Sequence, residues 1–171
     1  ARKAAGRLVP SGTTDAFFCV EGDAQAVEVF VPLLRGLGLQ VQTISPESKA
    51  QYHLSCALAS NFVCALVQRS VELLGGCGFS KTDALHALAP LMRSNLAHVI
   101  EHGAVSALTG PIERGDTQTV QKHLSCLTER DDRQLYALLG LEQVKMAQEK
   151  HPEQDYGTLA ALLNRKKEQN E

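Results

Sequence analysis

The chain has no tryptophan, and Phe, Tyr and Trp together make up 5% of its 171 residues. That scarcity argues against a stacking surface for single-stranded nucleic acid or for sugars. Neither sign of charge dominates: 17 Lys and Arg stand against 19 Asp and Glu, a formal net charge of −2. A protein that grips a nucleic-acid backbone or an anionic membrane carries a basic excess, which is missing here. No apolar run approaches about 18 uninterrupted residues, so no membrane span is expected. The opening ARKAAGRLVPSGTT is basic but has no apolar core, so it does not read as a secretory signal. The five cysteines (Cys19, Cys56, Cys64, Cys77, Cys126) are an odd number without a CxxC pair. They read as reduced, mostly buried thiols of a cytoplasmic protein. No Cys/His cluster has ligand spacing, so no metal is expected.

What is present is a composition of 44% hydrophobic and 21% charged residues, ordinary for a soluble globular protein. The chain is organised around SPESKAQYHLSCALASNFVCALVQRSVELLG, residues 45–75. Ser45 suits an N-cap, Pro46 the first turn and Glu47 the positive end of the dipole, and no Gly or Pro follows until Gly75-Gly76. This predicts a helix of roughly 29 residues, about 44 Å long. Its middle is apolar almost all round, as in a helix wrapped by others. One stripe differs: Lys49, His53, Cys56 and Ser60 fall within about 60° of each other. An ammonium, an imidazole, a thiol and a hydroxyl on one line make a candidate site. The competing reading leaves Lys49 and His53 in solvent and makes Cys56 and Ser60 small packing residues.

Upstream, Ala16–Glu21 is a short apolar run ended by Gly22-Asp23, which reads as a buried strand. Asp23 caps a helix to about Gly36, with Pro32 disturbing it. Leu39–Ile44 alternates as a half-buried or edge strand. Together these form one β-α-β unit whose strands are expected to pair in parallel. Two strands cannot cover their own faces, so the sheet continues either upstream of residue 1 or in another chain; the first is expected. Downstream, Ser80 and Asp83 form a capping box, Pro90 kinks the helix that follows, and that helix ends at His102-Gly103. A Gly/Pro-punctuated loop precedes Asp116, which caps a helix. Another helix runs from about Asp131 to Lys150, and Asp155 caps a last short one. Arg165–Glu171 reads as a solvated tail. The expected fold is mainly α: residues 1–44 carry the β-α-β unit (1–15 as loop or disorder) and 45–171 a helical bundle around one long helix. The apolar long helix and the amphipathic ones after it fit a homodimer.

These residues also carry a family resemblance. The β-α-β unit feeding one long helix and a bundle is similar to the β-hydroxyacid dehydrogenase and ketopantoate reductase superfamily. The motifs FxVEGD, Lys49-x-x-Tyr52-His53, Ala59-Ser60-Asn61-Phe62, Pro90-Leu91 with Asn95, and Ala107-Leu108-Thr109-Gly110-Pro111-Ile112-x-Arg114-Gly115-Asp116 resemble one branch closely. That branch is the Rossmann-like, NADP-oxidoreductase-like proteins with a C-terminal helical domain of unknown function, 6-phosphogluconate dehydrogenase C-terminal-like in fold. The resemblance implies an NADP or NAD cofactor, a small hydroxy, keto or imino substrate, and a helical domain that dimerises. It implies that residues 1–44 are the end of a Rossmann domain. No GxGxxG occurs, and Gly36-Leu37-Gly38 precedes a strand instead of following one, so no cofactor-binding residue is expected in this chain.

Within the superfamily a lysine early in the long helix acts as acid/base on the substrate oxygen, with an asparagine one turn later. Lys49 fits the lysine, and His53 stands where the asparagine would be. A lysine of lowered pKa can exchange a proton with a hydroxyl or carbonyl while a neutral imidazole orients it. Ser60, Asn61 and Asn95 are candidate substrate contacts, as are Thr109 and Arg114, the latter able to clamp a carboxylate. The structural alternatives are helix packing for Ser60 and Asn61, and a local ion pair for Arg114. If the helical domain only dimerises and positions a nucleotide-sensing domain, Lys49 is expected in open solvent.

Overall fold

The computed structural model describes residues 17–168, with side chains through 164. The expected loop at 1–15 and the last residues of the charged tail lie outside the described residues. The protein is mainly α, with a β-α-β start. It divides into two compact units, Ala1–Gly78 and Phe79–Glu171.

The first unit opens with β1 (Phe17–Val20), α1 (Ala24–Gly36) and β2 (Gln40–Thr43). The strands pair in parallel, with Phe18 opposite Val41 and Cys19 opposite Gln42. Asp23 caps α1 as its sequence position predicts, accepting from the Gln25 and Ala26 amides. Pro32 sits inside α1 without ending it. Gly38, at φ 80°, makes the turn into β2 that a side chain would strain. The Arg35 guanidinium then donates to the Val41 carbonyl at 3.2 Å, pinning the end of α1 to β2. Val31 and Val41 are the buried centre of this β-α-β part, while Phe17, Phe30, Leu33 and Leu37 stay more than half exposed.

The expected single helix over 46–75 is interrupted. A short 3-10 turn, Pro46–Ser48, leads into α2 (Lys49–Ala59), and α3 (Asn61–Gly75) follows after Ser60. Ser45 occupies the cap position, but its hydroxyl meets the Ser48 hydroxyl at 3.1 Å in place of a backbone amide. Ser60 leaves helical geometry at φ −125°, ψ −69°. No Gly or Pro causes this; the break falls where serine and asparagine, both modest helix formers, adjoin. The expectation that this segment is wrapped on all sides is also corrected. Val71 is its only buried residue, and Leu54, Leu58 and Phe62 are 54%, 51% and 55% exposed. Apolar patterning marks what a helix can bury, and within this unit nothing covers it. By length and composition alone, Pro46–Gly75 is also apolar enough to cross a membrane.

The second unit begins with α4 (Lys81–His102), where Ser80 and Asp83 form the expected capping box. Pro90 lies within α4 and does not end it; Gly103 at φ 84° does. A single turn, α5 (Ala104–Ala107), leads to the loop of residues 108–116. Then come α6 (Thr117–Cys126), α7 (Arg130–Lys150) and α8 (Gly157–Glu168). Asp116 caps α6 through the Thr119 amide, and Asp155 accepts from the Gly157 amide at 2.8 Å. The core of this unit joins Ile112 of the loop to Val120 and Leu124 of α6, Val144 and Ala147 of α7, and Leu159 and Leu163 of α8. Gly140 lets α7 and α8 approach: a Cβ there would sit 3.1 Å from both methyls of Leu163.

Candidate functional site

In the first unit the candidate residues sit on the α2 face and at the break. Lys49 opens α2, and its ammonium lies 2.7 Å from the Glu21 carboxylate just past β1. The Lys49 side chain is 69% exposed and Glu21 is 24% exposed. This is a surface ion pair reached from water, not a lysine enclosed in a cleft. His53, one turn on, is exposed, as are Ser60 and Asn61 at the break. None of these three makes a side-chain hydrogen bond among the described residues. The expected burial of the thiols is corrected too: Cys19 is half-buried and Cys56, Cys64, Cys77 and Cys126 are exposed. Cys56 and Cys64 lie on the uncovered α2–α3 segment, so they are exposed with it.

In the second unit, Thr109 and Arg114 belong to one loop, and Asn95 lies exposed in the middle of α4. The loop is held from beneath. The Lys150 ammonium, at the end of α7, donates to the carbonyls of Leu108 at 2.7 Å and Ser106 at 3.2 Å. It also lies 3.5 Å from the Glu113 carboxylate. His151 Nε2 meets the same Glu113 oxygen at 2.7 Å. The buried Tyr156 donates its hydroxyl to the Glu113 carbonyl at 2.6 Å, and Gln154 donates to the Arg114 carbonyl at 3.1 Å. Inside the loop, the Asp116 amide donates to the Pro111 carbonyl at 2.8 Å, and Gly110 and Gly115 take φ values of 105° and 70°.

Two carboxyl groups are tuned by this arrangement. Glu113 is held below its ordinary value, first by the hydrogen bond with His151, against the opposing effect of burial, with Lys150 adding to the lowering. Asp116 is lowered mainly by the Thr119 hydroxyl and amide that it accepts from. The Arg114 charge contributes to that lowering, yet Arg114 is exposed and forms no ion pair among the described residues. The local ion pair considered for it is therefore not made. A fixed loop that carries both an exposed guanidinium without an ion pair and the exposed Thr109 hydroxyl is chemically suited to hold a small carboxylate or phosphate.

Lys49, His53, Ser60 and Asn61 thus belong to one unit, and Asn95, Thr109 and Arg114 to the other. Sequence reasoning missed Glu21 as the partner of Lys49, and it missed Lys150, His151 and Tyr156 as the support of the loop. Glu21 lay within a quoted motif, but nothing local links it to a residue 28 positions on. No group of three or more His, Cys, Asp or Glu residues that could hold a metal ion occurs among the described residues.

A parallel β-α-β unit, an interrupted apolar helix and a helical unit with a pinned Gly-Pro loop define a mainly α protein of mixed start. The chain belongs to the family described as a domain of unknown function, DUF2520, whose model matches residues 16–143. The match takes in Lys49 through Arg114 and stops short of Lys150, His151 and Tyr156. No curated protein and no solved structure is significantly similar to the chain.

Proposed function

We propose that this chain is the helical assembly part of a dimeric, NAD(P)-linked oxidoreductase-like protein of the cytoplasm. In this reading α2–α3 of one copy packs against the same segment of a second. The observation that carries it is the run of large apolar side chains left uncovered along one segment: Leu54, Leu58, Phe62, Val63 and Leu66 are between 38% and 55% exposed. Covering the open part of each is worth about 1 kcal/mol at 25 cal/mol per Å², and a homodimer interface is richer in such groups than ordinary surface. The exposed apolar side of the β-α-β unit fits a neighbouring Rossmann-like domain, which would carry NADP or NAD. Lys49, in water and paired with Glu21, supports an assembly role over proton transfer.

A second reading keeps catalysis, and the Arg114 loop favours it. Here Arg114 and Thr109 take an anionic group of a small hydroxy, keto or imino substrate, with Asn95 of the same unit as a further contact.

Sedimentation of the chain at micromolar concentration tests the first reading. The expected species has twice the 18.5 kDa chain mass, and Phe62→Asp converts it to a monomer with unchanged helical content. A monomer in both cases sinks the dimer, and a chain that needs detergent and floats with lipid vesicles replaces it with a membrane-embedded segment. Titration with NADPH and NADH, followed by fluorescence on a protein that includes a nucleotide-binding domain, tests the cofactor. No binding there removes the oxidoreductase reading and leaves assembly alone.

A further inference from the structure

His98 and His102 stand four positions apart in the last turns of α4. Their side chains leave the same face of the helix, one turn from each other. The ring centres are 4.7 Å apart, and the rings meet edge to face at 87°. Both residues are exposed, the His102 side chain at 55%. Neither ring has a hydrogen-bond partner among the described residues. The next closest pair of histidines, His86 and His98, is twelve positions apart. The surroundings favour a cation. The Glu101 carboxylate lies 3.8 Å from His102 Nδ1 and leaves Nε2 open. A carboxylate near the far nitrogen of a ligating imidazole raises its basicity and fixes the ring. The pair also sits at the negative end of the α4 dipole, among its last carbonyls. Arg93, the nearest basic residue on α4, projects about 140–180° away from both rings at 3.6 residues per turn.

We propose that His98 and His102 form a two-imidazole site for a divalent transition-metal ion of the nickel or zinc type, with water in the remaining positions. A pair is not the larger Cys/His cluster whose absence argued against a metal, and no group of three ligating residues occurs among the described residues. Two histidines at i and i+4 are nonetheless the spacing with which helical zinc motifs present their imidazoles. A nitrogen–metal distance of about 2.0–2.1 Å lets two rings with centres 4.7 Å apart meet on one ion by side-chain rotation. Imidazole suits such ions, whereas calcium and magnesium take oxygen ligands. An ion bridging the rings ties the last turn of α4 together just before Gly103, where the chain passes into α5. The site lies outside the α2–α3 segment and the loop of residues 108–116, so it depends on neither reading above.

The test adds Ni²⁺ to the whole chain and follows the ring C–H resonances of its six histidines by NMR, assigned from single His→Gln variants. Nickel is paramagnetic, so it broadens the rings it touches, and it favours imidazole where softer ions would turn to the exposed thiols. The His98 and His102 resonances should broaden first and together, below one ion per chain, with a dissociation constant of about 1–100 μM. Those of His53 and His86, also exposed, should persist. His102→Gln should raise the Ni²⁺ needed to broaden His98 by about tenfold or more, with circular dichroism unchanged. One equivalent of Ni²⁺ should slow amide exchange from Val99 to Gly103 in the parent and leave it unchanged in the variant. Broadening of His98 and His102 no earlier than that of His53 or His86 overturns the proposal, as does a His98 response that survives His102→Gln.

Discussion

Replacing Lys150 by methionine keeps the apolar stem of the side chain and removes its ammonium. Three contacts go with it: the donations to the Leu108 and Ser106 carbonyls and the pairing with Glu113. The Ser106 bond is exposed, so water replaces it at little cost. The Leu108 bond is part-buried and charge-assisted, and losing it costs about 1–2 kcal/mol. Glu113 keeps His151 as a partner, which limits the penalty at the carboxylate to about 0.5 kcal/mol more. The sum, about 2 kcal/mol, lowers the urea midpoint of the second unit by about 1 M at an m-value of about 2 kcal/mol per M. Amide exchange should quicken in residues 108–116 and stay unchanged in α1. Lys145→Met is the control. Its ammonium lies only 2.6 Å from Glu142, but both side chains are roughly two-thirds exposed or more (71% and 65%), so the expected change is a few tenths of a kcal/mol. If Lys150→Met matches that control in both midpoint and exchange, the loop is not held by this lysine and the account of the loop is wrong.

Three further outcomes follow from the same geometry. The Glu113 carboxyl is lowered in the folded state, so the unfolded chain binds its proton more readily; its stabilisation is present above the ordinary value of 4.5 and is lost as pH falls through the lowered one. Urea midpoints measured from pH 7 to pH 3 should therefore fall less steeply for Glu113→Gln than for the parent. Gly140→Val pushes a branched side chain into the Leu163 methyls and should cost about 1–3 kcal/mol by thermal unfolding; no loss would mean that α7 and α8 are not in close contact there. Arg114→Ala removes a guanidinium without an ion-pair partner, so stability should be unchanged within about 0.5 kcal/mol, while any binding of small carboxylates seen by calorimetry should drop at least tenfold.

What could be read from the sequence was local. Asp23, the Ser80–Asp83 box and Asp116 cap where their spacing says, because a cap depends on residues two or three positions away; Asp155 stands one residue before the cap position of α8 and accepts from its first amide. Gly38 and Gly103 end their helices for the same reason. The parallel pairing of β1 with β2 was legible because a helix-length crossover permits little else. The break at Ser60 was not: no Gly or Pro marks it, and propensity alone is too weak to place a one-residue interruption. Nor was the support of the Arg114 loop, since Lys150 and His151 meet Glu113 from 37 and 38 positions away. Burial along α2–α3 was misjudged because an apolar pattern says that a surface will be covered and is silent on what covers it.

The interruption at Ser60 also sets the electrical character of the segment around it. The first amide of α3 with a described backbone acceptor is that of Cys64, bonded to the Ser60 carbonyl at 3.3 Å. The amides of Asn61, Phe62 and Val63 point out of the ladder, as do the last carbonyls of α2. In hydrocarbon each such group would forfeit several kcal/mol, because no water is there to meet it. A segment long and apolar enough for a bilayer therefore carries a polar seam at its midpoint. In an aqueous joint between proteins, that seam can be hydrated or bonded to a neighbour at no such penalty.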